Sequence, residues 1–476
     1  VWFRIFLRKF RVKAQESNMK RRQCRGEVTA YLSLIFLLLI IFVAGLMESA
    51  SIQMAKNYRR ADMNRAMECM FAEYQKELLE EYEIFAIDGS YETGQYSEEN
   101  LTDRLEFYGA GNMKHKIERI QFLTDHGCSL FYDQVAAYME DWYGIDAMEE
   151  LVGQTPQWGH QEEKGEGYFE EERKQNEELE ILLGEQQGEL PSENNPIEHV
   201  GNLKQSPVLK LVMPKERQVS EKAIALQETP EFRTLNQGYG EFSDVAEETG
   251  TLSVLLFGEY LLEHFTAYTD EERSGALEYE LEYILAGKGS DQENLEHVVN
   301  KLMLIRYVPN YAYLQTNAEK KAEAKALALT LCSLLAVPAI TEAAAQVILL
   351  SWAYGETVMD LRSLLGGSRV PLVKDDMSWQ LSLSSLMSLG TEEDVNEGKD
   401  TTGGMDYRDY LRMLLFLEGK EARGLRALGM IEQNLRKKSG LTWFKVDLCV
   451  GRMELWTECR LRREIQYRFP TYYGYQ

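Results

Sequence analysis

The sequence predicts an α+β protein in which a transmembrane helix continues into a long amphipathic stalk helix. A mostly helical region with small β elements follows. Residues 28–47 are apolar and uncharged, a helical repeat of apolar residues follows with no Pro or Gly before Ile87, and short alternating segments occur later. The length of 476 residues allows two or three domains, and 44% hydrophobic with 27% charged residues is typical of globular proteins.

The apolar run, Val28–Met47, is long enough to span a membrane, because twenty helical residues at about 1.5 Å each cover roughly 30 Å. Basic residues crowd its upstream side, whereas Glu48 is the first charge after it. The positive-inside rule predicts a single-pass cell-membrane protein with a basic cytoplasmic tail, residues 1–27, and an extracytoplasmic bulk. A cleaved signal peptide and a buried core helix are the alternatives. Met19, which Lys-Arg-Arg follows directly, is an alternative start of the chain.

Residues 48–87 are predicted to continue this helix as a stalk. Apolar residues recur there at intervals of three or four along one helical face. We call this set the stripe: Met63, Met67, Met70, Tyr74, Leu78 and Tyr82. Such a stripe packs against its own domain or forms an interaction surface, and a second copy of the chain is one partner that it could contact.

The rest of the chain divides by composition into three predicted segments. Residues 88–152 are a first α+β segment. Residues 153–206 are predicted to be an acidic flexible insertion, because 153–198 hold 13 acidic and 3 basic residues with few aliphatic ones. Residues 207–476 form the main helical or α+β domain, which contains a helix pair within 406–436 and ends in two or three β-strands.

Two pairs of elements in these segments follow the same order. Residues 114–124 and 277–287 alternate in polarity like strands, and helical patterns follow over 130–152 and 291–307. A further apolar stretch, 322–355, is interrupted by Pro and Glu. It therefore predicts two packed core helices, with a second membrane span as the alternative.

Several segments resemble known sequences. The anchor region RGEVTAYLSLIFLLLIIFVAGLMESASIQ resembles the N-terminus of pilin-like TadE/TadG proteins of the tight-adherence (Tad) pilus system. Residues 63–91, 278–314 and 348–367 are similar to an uncharacterised family of bacterial single-pass membrane proteins associated with Tad pilus genes. Pilins cut by prepilin peptidase carry Glu five residues after the cleaved Gly, whereas Tyr31 stands five residues after Gly26. The resemblance implies an anchored accessory protein whose partners are pilus assembly or pilin-like proteins.

The charge distribution makes nucleic acid an unexpected partner. Net charge is −25 over the whole chain. Residues 26–400 hold 29 basic and 67 acidic residues, a net charge of −38, whereas phosphate binding needs clustered cations. The ends are basic, with +8 over residues 1–25 and +5 over residues 401–476, and the last segment could dock on the acidic middle.

Short motifs give little evidence of catalysis, since HExxH, GxSxG and a correctly placed GxGxxG are all missing from the sequence. DHGC, Asp125–Cys128, brings a carboxylate, an imidazole and a thiol together, and Asp375-Asp376 is an acidic pair. Turn and loop residues explain both. AGKGSD, Ala286–Asp291, is predicted to be a turn into a helix with Ser290 or Asp291 as the N-cap.

We therefore predict a non-catalytic protein without a cofactor or metal site that acts through protein–protein contacts. The first alternative is an anchored cell-envelope hydrolase whose active site assembles from dispersed residues, and the second is a sensor. Cys449 and Cys459 are close enough in sequence to pair across a hairpin, although unpaired thiols are the simpler interpretation.

Overall fold

The computed structural model describes residues 2–185, 190–215, 217–242, 251–333, 338–418 and 420–475. Its contacts divide the chain into two compact units. The first unit holds residues 1–72, 101–118 and 454–473, and the second holds residues 73–100, 119–453 and 474–476. Helices dominate, and the α+β class predicted from the sequence is confirmed at this level.

The first unit is built on helix α1, Trp2–Phe71, which contains the apolar run. Its C-terminal part packs against a π-helical turn, Glu106–Ala110, which follows helix α3, Glu98–Leu105. Among the described residues, α1 is the helix that is long and apolar enough to cross a membrane.

Helix α1 ends at Phe71, so the predicted continuous stalk helix over residues 48–87 is wrong beyond that residue. Gln75 has an extended backbone and its N–H donates to the carbonyl of Ala86 at 2.8 Å. Helix α2, Lys76–Tyr82, then restarts in the second unit, where its Leu78 and Tyr82 side chains are buried. Burial of these side chains and the backbone pairing outweigh the helix propensity of an uninterrupted segment.

Four strands in the described part of the chain form a small sheet. They are β1, Ile87–Asp88; β2, Lys114–Phe122; β3, Cys449–Arg460; and β4, Gln466–Gly474. Strand β3 lies between β1 and β2 and also pairs with β4. Its pairing with β1 is antiparallel, with Ile87 opposite Val450. The structure confirms the strand predicted over residues 114–124 and the strands predicted at the end of the chain.

Helices make up most of the second unit. Helix α9, Asp291–Thr316, packs against α11, Pro338–Leu365, and α10, Ala318–Leu331, packs on α11. Helix α4, Asp125–Glu185, packs against α7, Thr251–His264, and also against α9 and α11. Further helices are α5, Pro196–Lys204; α6, Val208–Val212; α8, Glu280–Ala286; α12, Leu383–Leu386; α13, Tyr407–Leu417; and α14, Lys420–Lys438.

Helices α10 and α11 confirm the two core helices predicted over residues 322–355, with Pro338 at the start of the second. Helices α13 and α14 confirm the predicted pair within 406–436. Ser290 is the N-cap of α9, and its hydroxyl accepts a hydrogen bond from the Glu293 N–H at 3.3 Å. Each prediction rested on local composition or capping chemistry, which the structure preserves.

The strand predicted over residues 277–287 is wrong, because its centre is helix α8. All seven side chains of α8 are buried, including Glu280 and Glu282. The alternation of glutamate with apolar residues therefore does not mark one solvent-exposed and one buried face. Gly287 ends the helix in a left-handed conformation (φ 65°), and its N–H donates to the Tyr283 carbonyl.

The flexible insertion predicted over residues 153–206 is also wrong for most of its length. Helix α4 extends to Glu185 and α5 begins at Pro196, while residues 186–189 lie outside the described part of the chain. Some apolar side chains of the segment reach the core, since Trp158 and Leu179 are each 3% exposed, whereas Ile181 is 63% exposed. The low average hydrophobicity of the segment therefore did not exclude a helix, because a few buried apolar side chains attach it to the core.

Candidate functional site

The apolar part of α1 presents an unusually large hydrophobic surface. From Val28 to Met47 almost every side chain is exposed, including Leu38 at 58% and Phe42 at 66%. Folded monomers rarely expose contiguous apolar patches larger than a few hundred Å² to water. We call Val28–Met47 the anchor, since its length and composition fit a membrane span or a signal anchor.

The stripe is divided between the two units. Met63, Met67 and Met70 lie on α1 in the first unit, whereas Tyr74, Leu78 and Tyr82 belong to the second. Five of the six side chains are at most 2% exposed, and Tyr74 is 37% exposed. Packing within the chain accounts for the five buried residues. Contact of the stripe with another protein or a second copy stays a prediction.

The second unit contains a cleft of about 110 Å³ between two loops. It is lined by Gln75, Asp88, Glu92, Gly440, Leu441, Thr442, Trp443 and Phe444. The indole of Trp443 is 63% exposed, although tryptophan side chains are usually well buried. We call this feature the Trp443 cleft.

One loop of the Trp443 cleft, residues 88–94, is held by the Asp88 carboxylate. Its Oδ1 accepts hydrogen bonds from the N–H and hydroxyl of Ser90 at 2.9 and 2.7 Å, and its Oδ2 accepts one from the Glu92 N–H at 2.9 Å. Tyr91 and Glu92 both have positive φ angles, of 48° and 65°. These hydrogen bonds offset the cost of that conformation and fix where the Glu92 side chain begins.

The other loop, residues 440–444, is held from helix α14. Gly440 ends the helix at φ 72°, the Arg436 Nε donates to the Phe444 carbonyl at 2.8 Å, and Glu432 accepts from the Val446 N–H at 3.0 Å. Trp443 also meets Gly94 of the first loop, where an added Cβ would lie 3.1 Å from the Trp443 Cβ. The exposed indole is therefore presented by a fixed backbone.

The Trp443 cleft can bind a cationic side chain. The Glu92 carboxylate is exposed, and an indole face attracts an ammonium or guanidinium group. Exposed tryptophans on rigid loops are frequent anchors of protein interfaces. Sequence patterns did not predict this cleft, because the lining residues come from two segments far apart in the chain.

A second charged cluster, the buried quartet, lies between α9, α11 and the loop after α11. Its members are Arg306, Glu356, Asp360 and Lys374, all completely buried. The Asp360 carboxylate lies 2.9 Å from Arg306 Nη2 and 2.7 Å from Lys374 Nζ. Glu356 lies 2.5 Å from Lys374 Nζ and accepts the backbone N–H groups of residues 380 and 381. The quartet joins two basic and two acidic side chains that are all buried. It therefore fastens the loop after α11 to helices α9 and α11.

The acid pKa values in the buried quartet shift in opposite directions. Burial raises the pKa of Glu356 above its ordinary value, against the opposing charge of Lys374. Burial also acts to raise the pKa of Asp360, but the charges of Arg306 and Lys374 outweigh it and hold that pKa below its ordinary value. Asp360 is therefore the ionised centre of the quartet.

The remaining sequence candidates are turn and packing residues. Asp125 accepts hydrogen bonds from the N–H groups of Phe122 and Gly238 at 2.7 and 3.0 Å. Burial raises the pKa of the Cys128 thiol to about 12, so it stays protonated. Asp375 accepts from the Ser378 N–H at 2.8 Å within a turn. The described residues contain no group of three His, Cys, Asp or Glu side chains placed to hold a metal ion.

Cys449 and Cys459 do not face each other. Both lie on strand β3, ten residues apart, which at about 3.3 Å per residue puts their Cα atoms far beyond disulfide reach. The simpler interpretation of unpaired thiols is confirmed for these two residues, and pairing across a hairpin is excluded because the turn follows Cys459 instead of separating the two cysteines.

Glu282 gives a testable pH dependence. Its Oε1 accepts from the Tyr407 hydroxyl at 2.8 Å, its Oε2 is buried without a partner in the described part of the chain, and burial raises its pKa to about 7. Because the unfolded pKa is 4.5, the folded state binds the proton more tightly. We expect the contribution of Glu282 to the free energy of unfolding to rise by up to about 3 kcal/mol as the pH falls from 8 to 4.5. Glu282→Gln should flatten this slope in urea denaturation, and an unchanged slope would contradict it.

Residues 186–461 match the profile of a family of unknown function, DUF5702. The match covers more than half of the 476 residues. The chain belongs to this family. The DUF5702 region contains the buried quartet, Glu282 and Trp443, whereas the anchor and α2 precede it. No curated protein and no solved structure matches the chain.

Proposed function

We propose that this protein is a membrane-anchored, extracytoplasmic accessory protein of a Tad-type pilus or secretion apparatus. It acts by protein–protein contacts and is not an enzyme. The observation that carries the membrane part of the proposal is the exposed anchor in α1. The resemblance of residues 25–53 to TadE/TadG proteins supports the pilus part.

The proposed orientation follows from charge. Residues 1–25 carry a net charge of +8, and Glu48 is the first charge beyond the anchor. This asymmetry favours a cytoplasmic N-terminus, which leaves the chain beyond the anchor, from Glu48 onward, outside.

The Trp443 cleft is the proposed contact with a partner. Its rigid loops carry an exposed indole and an exposed carboxylate, so a lysine or arginine of a pilin-like or assembly protein fits its chemistry. Rigid presentation lowers the entropy lost on binding.

Cross-linking in the native host tests the function. A C-terminal tag allows the cross-linked chain to be purified and its partners to be identified by mass spectrometry. Recovery of pilins or pilus assembly proteins is the expected result. Recovery of cell-wall fragments alone, or of nothing, would overturn the proposal and favour an anchored envelope hydrolase.

Trp443→Ala should reduce recovery of these partners about tenfold, as expected for the loss of an interface anchor worth 1–2 kcal/mol. The fold should be unaffected, because the indole is 63% exposed. Trp142→Ala is the matched control, since Trp142 is 61% exposed and lies outside the Trp443 cleft. Equal recovery of the partners with the two variants would show that the Trp443 cleft is not a contact with them.

A further inference from the structure

The turn between β3 and β4 is basic in a chain whose net charge is −25. Residues 460–468 read RLRREIQYR, with four arginines and one glutamate. We call residues 460–465 the hairpin tip. Arg460 and Arg463 have side chains that are 72% and 75% exposed. Arg462 is also exposed, and no carboxylate in the described residues pairs with it.

Contacts within the first unit place the hairpin tip at the end of the anchor. Arg463 pairs with Glu48, the residue that directly follows the anchor. Further along α1, Lys56 Nζ lies 5.1 Å from the centroid of the Tyr467 ring. At the other end, the Phe71 and Tyr473 rings lie 4.5 Å apart.

These contacts follow the same order along helix α1 and along the segment that ends in strand β4. From Lys56 to Phe71, helix α1 rises about 23 Å at 1.5 Å per residue. From Tyr467 to Tyr473, strand β4 covers about 20 Å at 3.3 Å per residue. Strand β4 therefore runs alongside α1 over this length, and the pair of Arg463 with Glu48 holds the hairpin tip level with the first turn beyond the anchor.

We propose that the hairpin tip binds the phosphate groups of anionic phospholipids on the side of the membrane where the chain beyond Glu48 lies. If the anchor spans the hydrocarbon layer, Glu48 lies at the headgroups, and the arginines of the tip lie there with it. Guanidinium groups form bidentate hydrogen bonds with phosphate, and an anionic membrane surface attracts nearby cations. This inference rests on the proposed membrane anchoring and adds a second attachment to it.

Hydrogen exchange tests this proposal on the full-length chain. The chain is reconstituted in nanodiscs of phosphatidylcholine with or without phosphatidylglycerol, and amide exchange is followed over residues 460–466 by mass spectrometry. Exchange at the hairpin tip should be about fivefold slower with phosphatidylglycerol present, because each bound arginine opposes opening. The difference should disappear in the triple variant Arg460→Gln, Arg462→Gln, Arg463→Gln.

The matched control removes three exposed lysines of the second unit and the same charge: Lys210→Gln, Lys325→Gln and Lys399→Gln. It should keep the full lipid effect. Equal exchange at the hairpin tip in the two lipids would overturn the proposal. Failure of the chain to enter nanodiscs is a separate result, which contradicts the anchor.

Discussion

Replacing Leu38 and Ile41 with arginine is expected to release the chain from the membrane. Both residues lie near the middle of the anchor and are 58% and 59% exposed. An arginine at the centre of a transmembrane helix costs about 2.5–3.5 kcal/mol, so the two together cost about 5–7 kcal/mol. The double variant should move from the membrane pellet to the soluble fraction after carbonate extraction.

The matched control is the pair Leu38→Ala and Ile41→Ala, which shortens the same side chains but keeps the segment uncharged. It should stay in the membrane pellet. The arginine variant changes no side chain of the second unit. Retention of the arginine variant in the pellet would show that another part of the chain, or a partner, holds it there.

Asp360→Ala is expected to cause the largest loss of stability in the second unit. The substitution leaves Arg306 and Lys374 buried with only Glu356 to balance them. Breaking a buried ion pair by removing one partner typically costs about 3–5 kcal/mol, because the remaining charge cannot be solvated. Urea denaturation of the full-length chain in detergent measures this cost. Trp379 is a local reporter, since its ring lies 6.0 Å from Lys374 Nζ.

The matched control is Asp400→Ala. Asp400 pairs with Arg369 at 2.7 Å, and both side chains are 45% exposed. Solvent screens such pairs, so the control should unfold at nearly the wild-type urea concentration. If the two variants lost the same stability, the quartet would not be what fastens the loop after α11.

The sequence predicted elements whose signal is local. The anchor follows from an unbroken apolar run, and the start of α9 follows from a serine before acidic residues. Strands β2 and β3 follow from alternation. In each case the residues that form the element also carry the pattern that predicts it.

Elements that depend on distant partners were not predictable. Helix α8 looks like a strand because glutamate alternates with apolar residues, although these glutamates are buried and accept hydrogen bonds from distant residues, such as the Tyr407 hydroxyl for Glu282. Helix α1 stops at Phe71 although no Pro or Gly interrupts it, because Gln75 pairs with Ala86 instead. Tertiary contacts outweigh local propensity at these positions.

The candidate sites also depend on residues that are distant in the sequence. The Trp443 cleft joins residues 75–92 to residues 440–444, and the buried quartet joins three separate segments. Nothing in the sequence indicated that Arg463 lies beside Glu48. Local patterns predicted the anchor, whereas the contacts around it could be identified only from the folded structure.

In the proposed topology, the anchor holds the second unit outside the cytoplasmic membrane. Ser206, an exposed residue of the second unit, can be replaced by cysteine and tested with a small sulfonated maleimide that does not cross that membrane. We expect Ser206→Cys to add label relative to the parent chain, and the added label should be the same in intact cells as in lysed cells. A gain that appears only after lysis would place the second unit in the cytoplasm and contradict the account.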